Sequence, residues 1–527
     1  MIAEPDAPPV TPLQPTLFVF AIVLYIAARW WRLTASCLWF DEIFSIHAAR
    51  HGWSELLNFV ALDIIHPPLF YLLLKIWIAV GGESLVWLRL FPALAAIAAV
   101  VPFVLLCREL RLKATETNLA LLLMAVNGYL IKYAQEVRMY SLLLLLALGS
   151  LWLFARFVNS LDSDGSKKKL IALFAVNLLL VYTHYFGWML VATEFVFLWW
   201  FARRRWLTFA ASIAALAFCF VPWALIVFSH TAQAGAVEQN LGWAARPGPL
   251  DVLQFFIILH EPFYYRQSSH EPLFLRGSAV LGIVLFAVPV VALARRRWKR
   301  ELAEDSTPIA PLTWLSVFAF LPIILTFVFS QFLPQSIWGT RHLIIVAAPY
   351  LTLAAVALLS LRQAWLRTTI IMLLCGWTLI AGMFLLIRRE EMYIWCAWDG
   401  LATERRRAEA VENRAVKVYA FEDLVAYHLW FSLDPINDKR IRVAVVKNIP
   451  GLTEDAAYFL PRGFDDIEVT NADEMRDDYF WMAFRDATWD VQRPPLKTVL
   501  EKGYRLGAPF EIEGSGQKAF IVPVWRR

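Results

Sequence analysis

Hydrophobic positions in this chain come in long unbroken blocks, not in the alternation of a half-buried strand or the one-sided stripe of a surface helix. Between residues 16 and 387 windows of roughly 18 to 22 apolar residues recur, each able as a helix to cross about 30 Å of hydrocarbon. They predict spans at 16–31, 85–107, 118–133, 140–158, 170–182, 185–201, 206–228, 277–294, 312–332, 342–361 and 365–387, about eleven in all. The stretch 69–80 (LFYLLLKIWIAV) is too short to cross, follows Pro67-Pro68 and carries Lys75. It predicts a helix lying in or dipping into the membrane interface.

Beyond residue 387 the pattern changes. No spanning window remains, and 388–527 holds more than half of the chain's 44 acidic residues. Alternating stretches at 416–421 (VKVYAF), 441–446 (IRVAVV) and 519–524 (AFIVPV) read as strands, with helical stretches such as 401–416 between them. The expected fold class is therefore an α-helical polytopic membrane protein, residues 1–387, followed by a small soluble α/β domain, residues 388–527.

Charge supplies the sidedness. RELRLK at 108–113, KKK at 167–169, ARRRW at 202–206, ARRRWKR at 294–300 and RQAWLR at 362–367 fall on every second turn of the chain, and the positive-inside bias places all five in the cytoplasm. The loop 33–84 and the segments 132–139, 184, 229–276 and 331–341 then face outward with the C-terminal domain. Counting 69–80 as a full span would put every later basic cluster outside. The N-terminal MIAEPDAPPVTPLQP lacks a basic start and a cleavage site, so it reads as a cytoplasmic tail before an uncleaved first span.

Composition agrees: 59% of the 527 residues are hydrophobic and 18% charged, too apolar for a water-soluble protein of this length. The net charge of +5 sits in short clusters between spans and not on one face, so no nucleic-acid partner is expected. The five cysteines have no metal-type spacing. Cys37 and Cys396 both fall outward and could pair, but scattered free thiols are the preferred reading.

The outward loops collect the ionisable groups that the spans exclude. LWFDEIFSIHAARHGW carries Asp41, Glu42, His47 and His51; LDIIHPPLFYLLL carries Asp63 and His66; KYAQEVRMYS carries Lys132, Glu136, Arg138 and Tyr140; YTHYFGW carries His184; and IWGTRHLI carries Arg341 and His342. Charges converging on one side of a membrane predict a polar cavity. Taken singly, Lys132 and Arg138 could snorkel, His184 could be an interface histidine and Glu42 could cap a loop helix. Asp41, flanked by aromatics at the end of a first span, has no packing purpose.

Four of these motifs, WFDEIFSIHAA, HPPLFYLL, AQEVRMYSLLLLLAL and THYF, resemble in order and sidedness the GT-C superfamily of polyprenyl-phosphate-sugar glycosyltransferases. The nearest type is family 39, which includes the protein O-mannosyltransferases and bacterial aminoarabinose transferases. The match covers about the first 350 residues. The resemblance implies a bacterial inner-membrane enzyme with an extracytoplasmic active site, moving a sugar with inversion from a polyprenyl-phosphate donor to a hydroxyl of a glycan, lipid or protein. Asp41 then matches the acidic residue of the first outer loop, general base or acceptor-orienting group, with Glu42 beside it. Arg138 and Tyr140 match the arginine-x-tyrosine pattern near the donor phosphate, Arg341 the basic residue closing the cavity, and Lys132 joins them. His66, Asp63, Glu136, His184 and His342 would line the substrate cavity. His66 stands where the aminoarabinose transferases carry lysine before two prolines, and their preceding acidic residue is Ile65 here; a divalent metal ion is left open.

The physical logic runs the same way. Nucleotide sugars are not supplied outside the cytoplasm, so an outward-facing transferase needs a donor delivered through the lipid. Guanidinium groups grip phosphate in a forked geometry and stabilise the charge gathering on it as it leaves. The competing readings are a transporter or flippase of lipid-linked glycans and a silent scaffold. A transporter should show related halves and charges near the bilayer midplane; here the charges sit in one-sided loops and no repeat is visible.

Overall fold

The computed structural model describes residues 13–160, 166–231, 244–263, 273–300, 310–387, 392–412, 416–433, 441–452 and 460–526. Most of the N-terminal tail and the junction at 388 lie outside these. Helices carry the apolar blocks: α1 (Leu13–Trp30), α2 (Phe40–Arg50), α3 (Trp53–Asp63), α4 (Leu69–Gly81), α5 (Leu85–Ala98), α6 (Val100–Glu109), α7 (Ala114–Val126), α8 (Gly128–Gln135), α9 (Tyr140–Val158), α10 (Ser166–Thr183), α11 (Gly187–Phe201) and α12 (Trp206–Thr231). They continue with α13 (Pro249–His260), α14 (Leu273–Arg300), α15 (Pro311–Phe332), α16 (Ala347–Leu359) and α17 (Ala364–Ile387). Every expected span falls on helix, and among the described residues six helical stretches are long and apolar enough to cross a bilayer, two of them composite: Leu85–Glu109 joins α5 to α6, and Thr340–Leu359 joins a 3₁₀ segment to α16. This is an integral membrane protein.

Three expected spans are broken: 342–361 begins in the 3₁₀ segment Thr340–Val346 before α16, and the other two break for a visible reason. Asn127 parts α7 from α8: its side chain accepts from the Leu130 N–H (2.9 Å) and donates to the Leu259 carbonyl (2.8 Å), capping one helix and pinning another. Pro102 has no N–H to return to the preceding turn, and α5 yields to α6 around Ala99. The apolar window at Thr340–Leu359 is 94% buried and forms the centre of the bundle, whereas that at Trp206–His230 is 11% buried and turns Phe218 and Phe228 outward, as a lipid-facing helix does.

The short helix α4 has 13 residues, about 20 Å of rise, too little for a crossing. Its Lys75 ammonium donates to the carbonyls of Ala49 and His51 at the end of α2. The cation completes a neighbouring helix terminus, where carbonyls lack partners and the helix dipole favours positive charge.

Among the described residues the C-terminal domain holds a seven-stranded mixed sheet: β1 (Val416–Ala420), β2 (Ile441–Lys447), β3 (Glu468–Asn471), β4 (Tyr479–Asp486), β5 (Tyr504–Leu506), β6 (Phe510–Gly514) and β7 (Gln517–Arg526). The order is β3-β2-β1-β4-β7-β5, with β6 also on β7; the pairs among β1 to β4 are parallel and those with β7 antiparallel. Side chains alternate between two cores. Val418, Ala420, Val443 and Val445 face α18 (Ala397–Glu412) and α19 (Asp423–Leu433), while Tyr419, Ala444 and Val446 face the opposite layer.

The helix-covered core does not close on itself. It takes in Ile43 of α2, with Leu38, Trp39 and Phe40 packed against it. Tyr427 of α19 meets the His47 ring nitrogen at 2.9 Å, among Trp430 and Phe464. The soluble domain therefore sits on the loop that carries Asp41. A Cys37–Cys396 disulfide, Cα atoms 5.2 Å apart, ties the two parts. This corrects the expectation of scattered free thiols: residues 359 apart in sequence become neighbours because the domain folds back onto the first loop. Cys107, Cys219 and Cys375 are free.

Candidate active site

The site is built where α2, the segment between α3 and α4, the segment between α8 and α9, the α10–α11 turn and the 3₁₀ segment Thr340–Val346 meet. Asp41 stands in the first turn of α2. Its carboxylate accepts from Arg341 Nη1 at 2.7 Å, and the side chain remains 18% exposed. Burial pushes this carboxyl upward, but the guanidinium groups of Arg341 and Arg138 outweigh it and hold it below the usual carboxylate range.

Arg138 is a fixed part of the wall. Its Nη1 donates to the Asp41 carbonyl (3.1 Å), Ser45 Oγ (3.2 Å) and Tyr71 OH (3.4 Å), and its Nη2 to His66 Nδ1 (3.4 Å). One guanidinium thus joins the Asp41 loop, α4 and the His66 segment.

Glu42 occupies a different setting from its neighbour. It is 2% exposed, and its oxygens accept from the N–H of Trp39 and the N–H of Val137, both at 2.9 Å, with Arg89 Nη2 at 3.4 Å. It caps α2 and holds the Arg138 loop in register. Expected beside Asp41 as a catalytic group, it is a carboxylate consumed by holding the site together.

Arg89, absent from the expected site, completes that frame. It donates to the carbonyls of Leu33, Ser36 and Cys37 at 2.7–2.9 Å and binds the Glu42 carboxylate. Its signal in the sequence was a lone arginine inside an apolar span. Ser45 and Tyr71 gave no signal; each needed the fold to bring it to Arg138.

The other expected residues converge on the same place. Tyr140 is fully buried and ring-stacked toward His342, 6.5 Å between centroids. Lys132 lies near enough to Asp41 and Glu136 to act on both electrostatically. Asp63 Oδ2 is 3.8 Å from His66 Nδ1, and burial, with Asp41 adding and Arg138 opposing, pushes its carboxyl up to about 7. Glu136 is buried too, which pushes it upward against the pull of Lys132.

His66, His184 and His342 form a buried group in which one nitrogen from each ring lies within 4.8 Å of those of the others. Two glycines permit it. A Cβ on Gly187 would meet the Leu180 carbonyl oxygen at 2.9 Å, so only glycine lets the His184 turn close this tightly, and a Cβ on Gly339 would lie 2.6 Å from His342 Nδ1. Ile64, a β-branched residue, takes a left-handed conformation (φ 57°) at the end of α3, which turns the chain between Asp63 and His66. His47 and His51 stand apart, His51 stacked on the Phe59 ring and His47 meeting it edge-on.

No protein-family model matches the chain, and no curated protein matches it. Solved structures do. ArnT from Cupriavidus metallidurans in the apo state aligns at 13% identity over 96% of this chain and 97% of that one, with a TM-score of 0.54. The same protein bound to undecaprenyl phosphate aligns at 14% identity over 98% of each chain, with a TM-score of 0.56. An oligosaccharyltransferase of Archaeoglobus fulgidus in complex with Zn and sulfate aligns at 15% identity over 96% of this chain and 72% of that one, TM-score 0.46. The likeness to ArnT establishes a shared fold across membrane part and soluble domain alike. It bears out the GT-C-type architecture expected from the four motifs.

Proposed function

We propose that this protein is a membrane glycosyltransferase that moves a sugar from a polyprenyl-phosphate donor to an acceptor hydroxyl on the extracytoplasmic face. The observation that carries the proposal is the meeting of Asp41 with Arg341 and Arg138, drawn from three distant stretches, on a fold shared with a protein solved with undecaprenyl phosphate.

Charge bookkeeping supports it. Arg138 and Arg341 against Asp41 leave one net positive charge while Asp63 is protonated, with Lys132 and Glu136 offsetting each other when both are ionised. A sugar phosphodiester brings one negative charge. As the acceptor oxygen attacks the anomeric carbon, the bond from that carbon to the phosphate oxygen breaks with its electron pair, and the lipid phosphate leaves as a dianion. The acceptor's proton passes to Asp41, so two positive charges then face two negative ones. One in-line displacement of this kind inverts the anomeric centre, and no redox cofactor enters.

Asp41 is fitted to this role because it keeps an accessible edge and stays ionised, while Glu42 is closed in. Purified protein in nanodiscs, assayed for lipid-donor binding and sugar transfer on one sample, tests the reading. Asp41→Asn should bind donor and lose turnover by roughly 100-fold or more. Undiminished transfer in that variant would refute the base assignment.

A further inference from the structure

The histidine group has the composition of a three-histidine metal centre, and its hydrogen bonds argue against one. A metal takes the lone pair of a neutral imidazole nitrogen while the other nitrogen keeps its proton and donates it to an acceptor. At His184 the roles are reversed: the Phe186 backbone N–H donates to Nδ1 at 3.0 Å, so in the neutral ring the proton sits on Nε2. At His66 the guanidinium of Arg138 can only donate, so Nδ1 accepts there as well and Nε2 again carries the proton. Both Nε2 atoms are buried and unpartnered among the described residues, as are the Tyr140 hydroxyl and Arg138 Nε.

A buried donor without an acceptor costs stability, about 1–3 kcal/mol for each group, unless a ligand supplies the acceptor. Several such donors converge here beside two guanidinium groups, whose field repels a metal cation and draws an anion. Burial above all, with that field adding to it, holds the His66 and His184 rings well below their ordinary value, so they stay uncharged.

We infer that His66, His184 and His342, with the Tyr140 hydroxyl, form a seat of neutral hydrogen-bond donors for the phosphoryl oxygens of the lipid-linked substrate, in place of a metal centre. The inference rests on the lipid-phosphate reading above and deepens it. Uncharged donors grip the oxygens without altering the balance kept by Arg138, Arg341 and Asp41.

Farnesyl phosphate serves as probe, with inorganic phosphate as the headgroup alone, on protein in nanodiscs. Glutamine can offer an N–H near the position of histidine Nε2 and is a poor metal ligand, so it separates the two chemistries. His66→Gln should bind farnesyl phosphate within about 3-fold of the parent, and His66→Ala should bind it roughly 10- to 100-fold more weakly, the scale of one hydrogen bond to a charged group. In histidine-selective ¹⁵N spectra of the unaltered protein, two rings should show protonated Nε2 that shifts when farnesyl phosphate is added. Inorganic phosphate should produce that shift only at far higher concentration, and equal potency would make this a free-phosphate site and overturn the lipid assignment. Zinc or another transition metal at one per chain, lost in both His66 variants, would overturn the seat in favour of a metal centre. Unchanged binding in both variants, with binding lost in Arg138→Ala, would remove the histidines and leave the proposed function standing. Unchanged binding in all three would sink the phosphate reading itself.

Discussion

Asp41 and Glu42 are adjacent carboxylates with opposite surroundings, and that contrast sets what each should do when altered. Glu42→Gln keeps the shape but turns an acceptor toward a donor among the N–H groups of Trp39 and Val137, so it should lower stability by about 1–3 kcal/mol. Its loss of turnover should be much smaller than that of Asp41→Asn; thermal unfolding and transfer rate on the same nanodisc preparation check both. Asp63 has a pH signature. Its carboxyl is raised from the ordinary value to about 7, so the folded protein binds its proton more tightly than the unfolded chain does. The stability this contributes is complete below about pH 4, falls as pH rises toward 7, and is gone above. Asp63→Asn should flatten that slope between about pH 4 and 7, and a melting-temperature profile identical to the parent's would count against the burial of a protonated Asp63. Asp41, held low, runs the other way: the stability from its ion pair is present above about pH 4 and is lost only on strong acidification.

At the scale of elements, Lys75 shows how a polar residue in an apolar helix can be decided by its neighbour. Lys75→Met should leave α4 helical but strip the carbonyls of Ala49 and His51 of their cation, raising amide hydrogen exchange at the end of α2 more than in α4 itself. The sequence carried the elements well. Apolar blocks located every span, and α9 runs from Tyr140 to Val158 as read, because length and hydropathy alone settle where a helix must cross. Breaks were less legible: Asn127 looked like one polar residue in a span until Leu259 arrived from 132 positions away. The same limit governed the site. Residue types with chemistry in one-sided loops were readable for all eleven expected positions, whereas Arg89, Ser45 and Tyr71 matter through partners chosen by folding. The roles of Glu42 and the histidines likewise turned on which backbone N–H faces which lone pair, information that no linear pattern contains.

For the molecule as a whole, one expectation is spatial. From the parity that the five basic clusters share, we propose that the soluble domain and Asp41 lie outside. Alkaline phosphatase fused after residue 527 should be active in cells, and a fluorescent protein that matures only in the cytoplasm should stay dark at that position. The reverse pattern would invert the map and remove the case for a lipid-delivered donor. Docking of the soluble domain should depend on His47 remaining neutral against Tyr427, since burial pushes this ring down to about 3. The contact should therefore hold across the physiological range and be indifferent to mild acidification.

The bond between Cys37 and Cys396 also sets a clock. Its first sulfur is made 359 residues before its second. At bacterial or eukaryotic synthesis rates of about 5–20 residues per second, that gap lasts on the order of 20 to 70 seconds. Through that interval the first loop must wait with a lone thiol while the later helices enter the bilayer, open to capture by any other thiol or disulfide nearby. The oxidised pair then marks a chain whose sheet domain has reached the first loop and come to rest on it. In a pulse-chase with a thiol-blocking reagent, newly made chains should pass from blocked to protected at Cys37 only after the sheet domain has docked, so that one sulfur reports the arrival of a partner made hundreds of residues later.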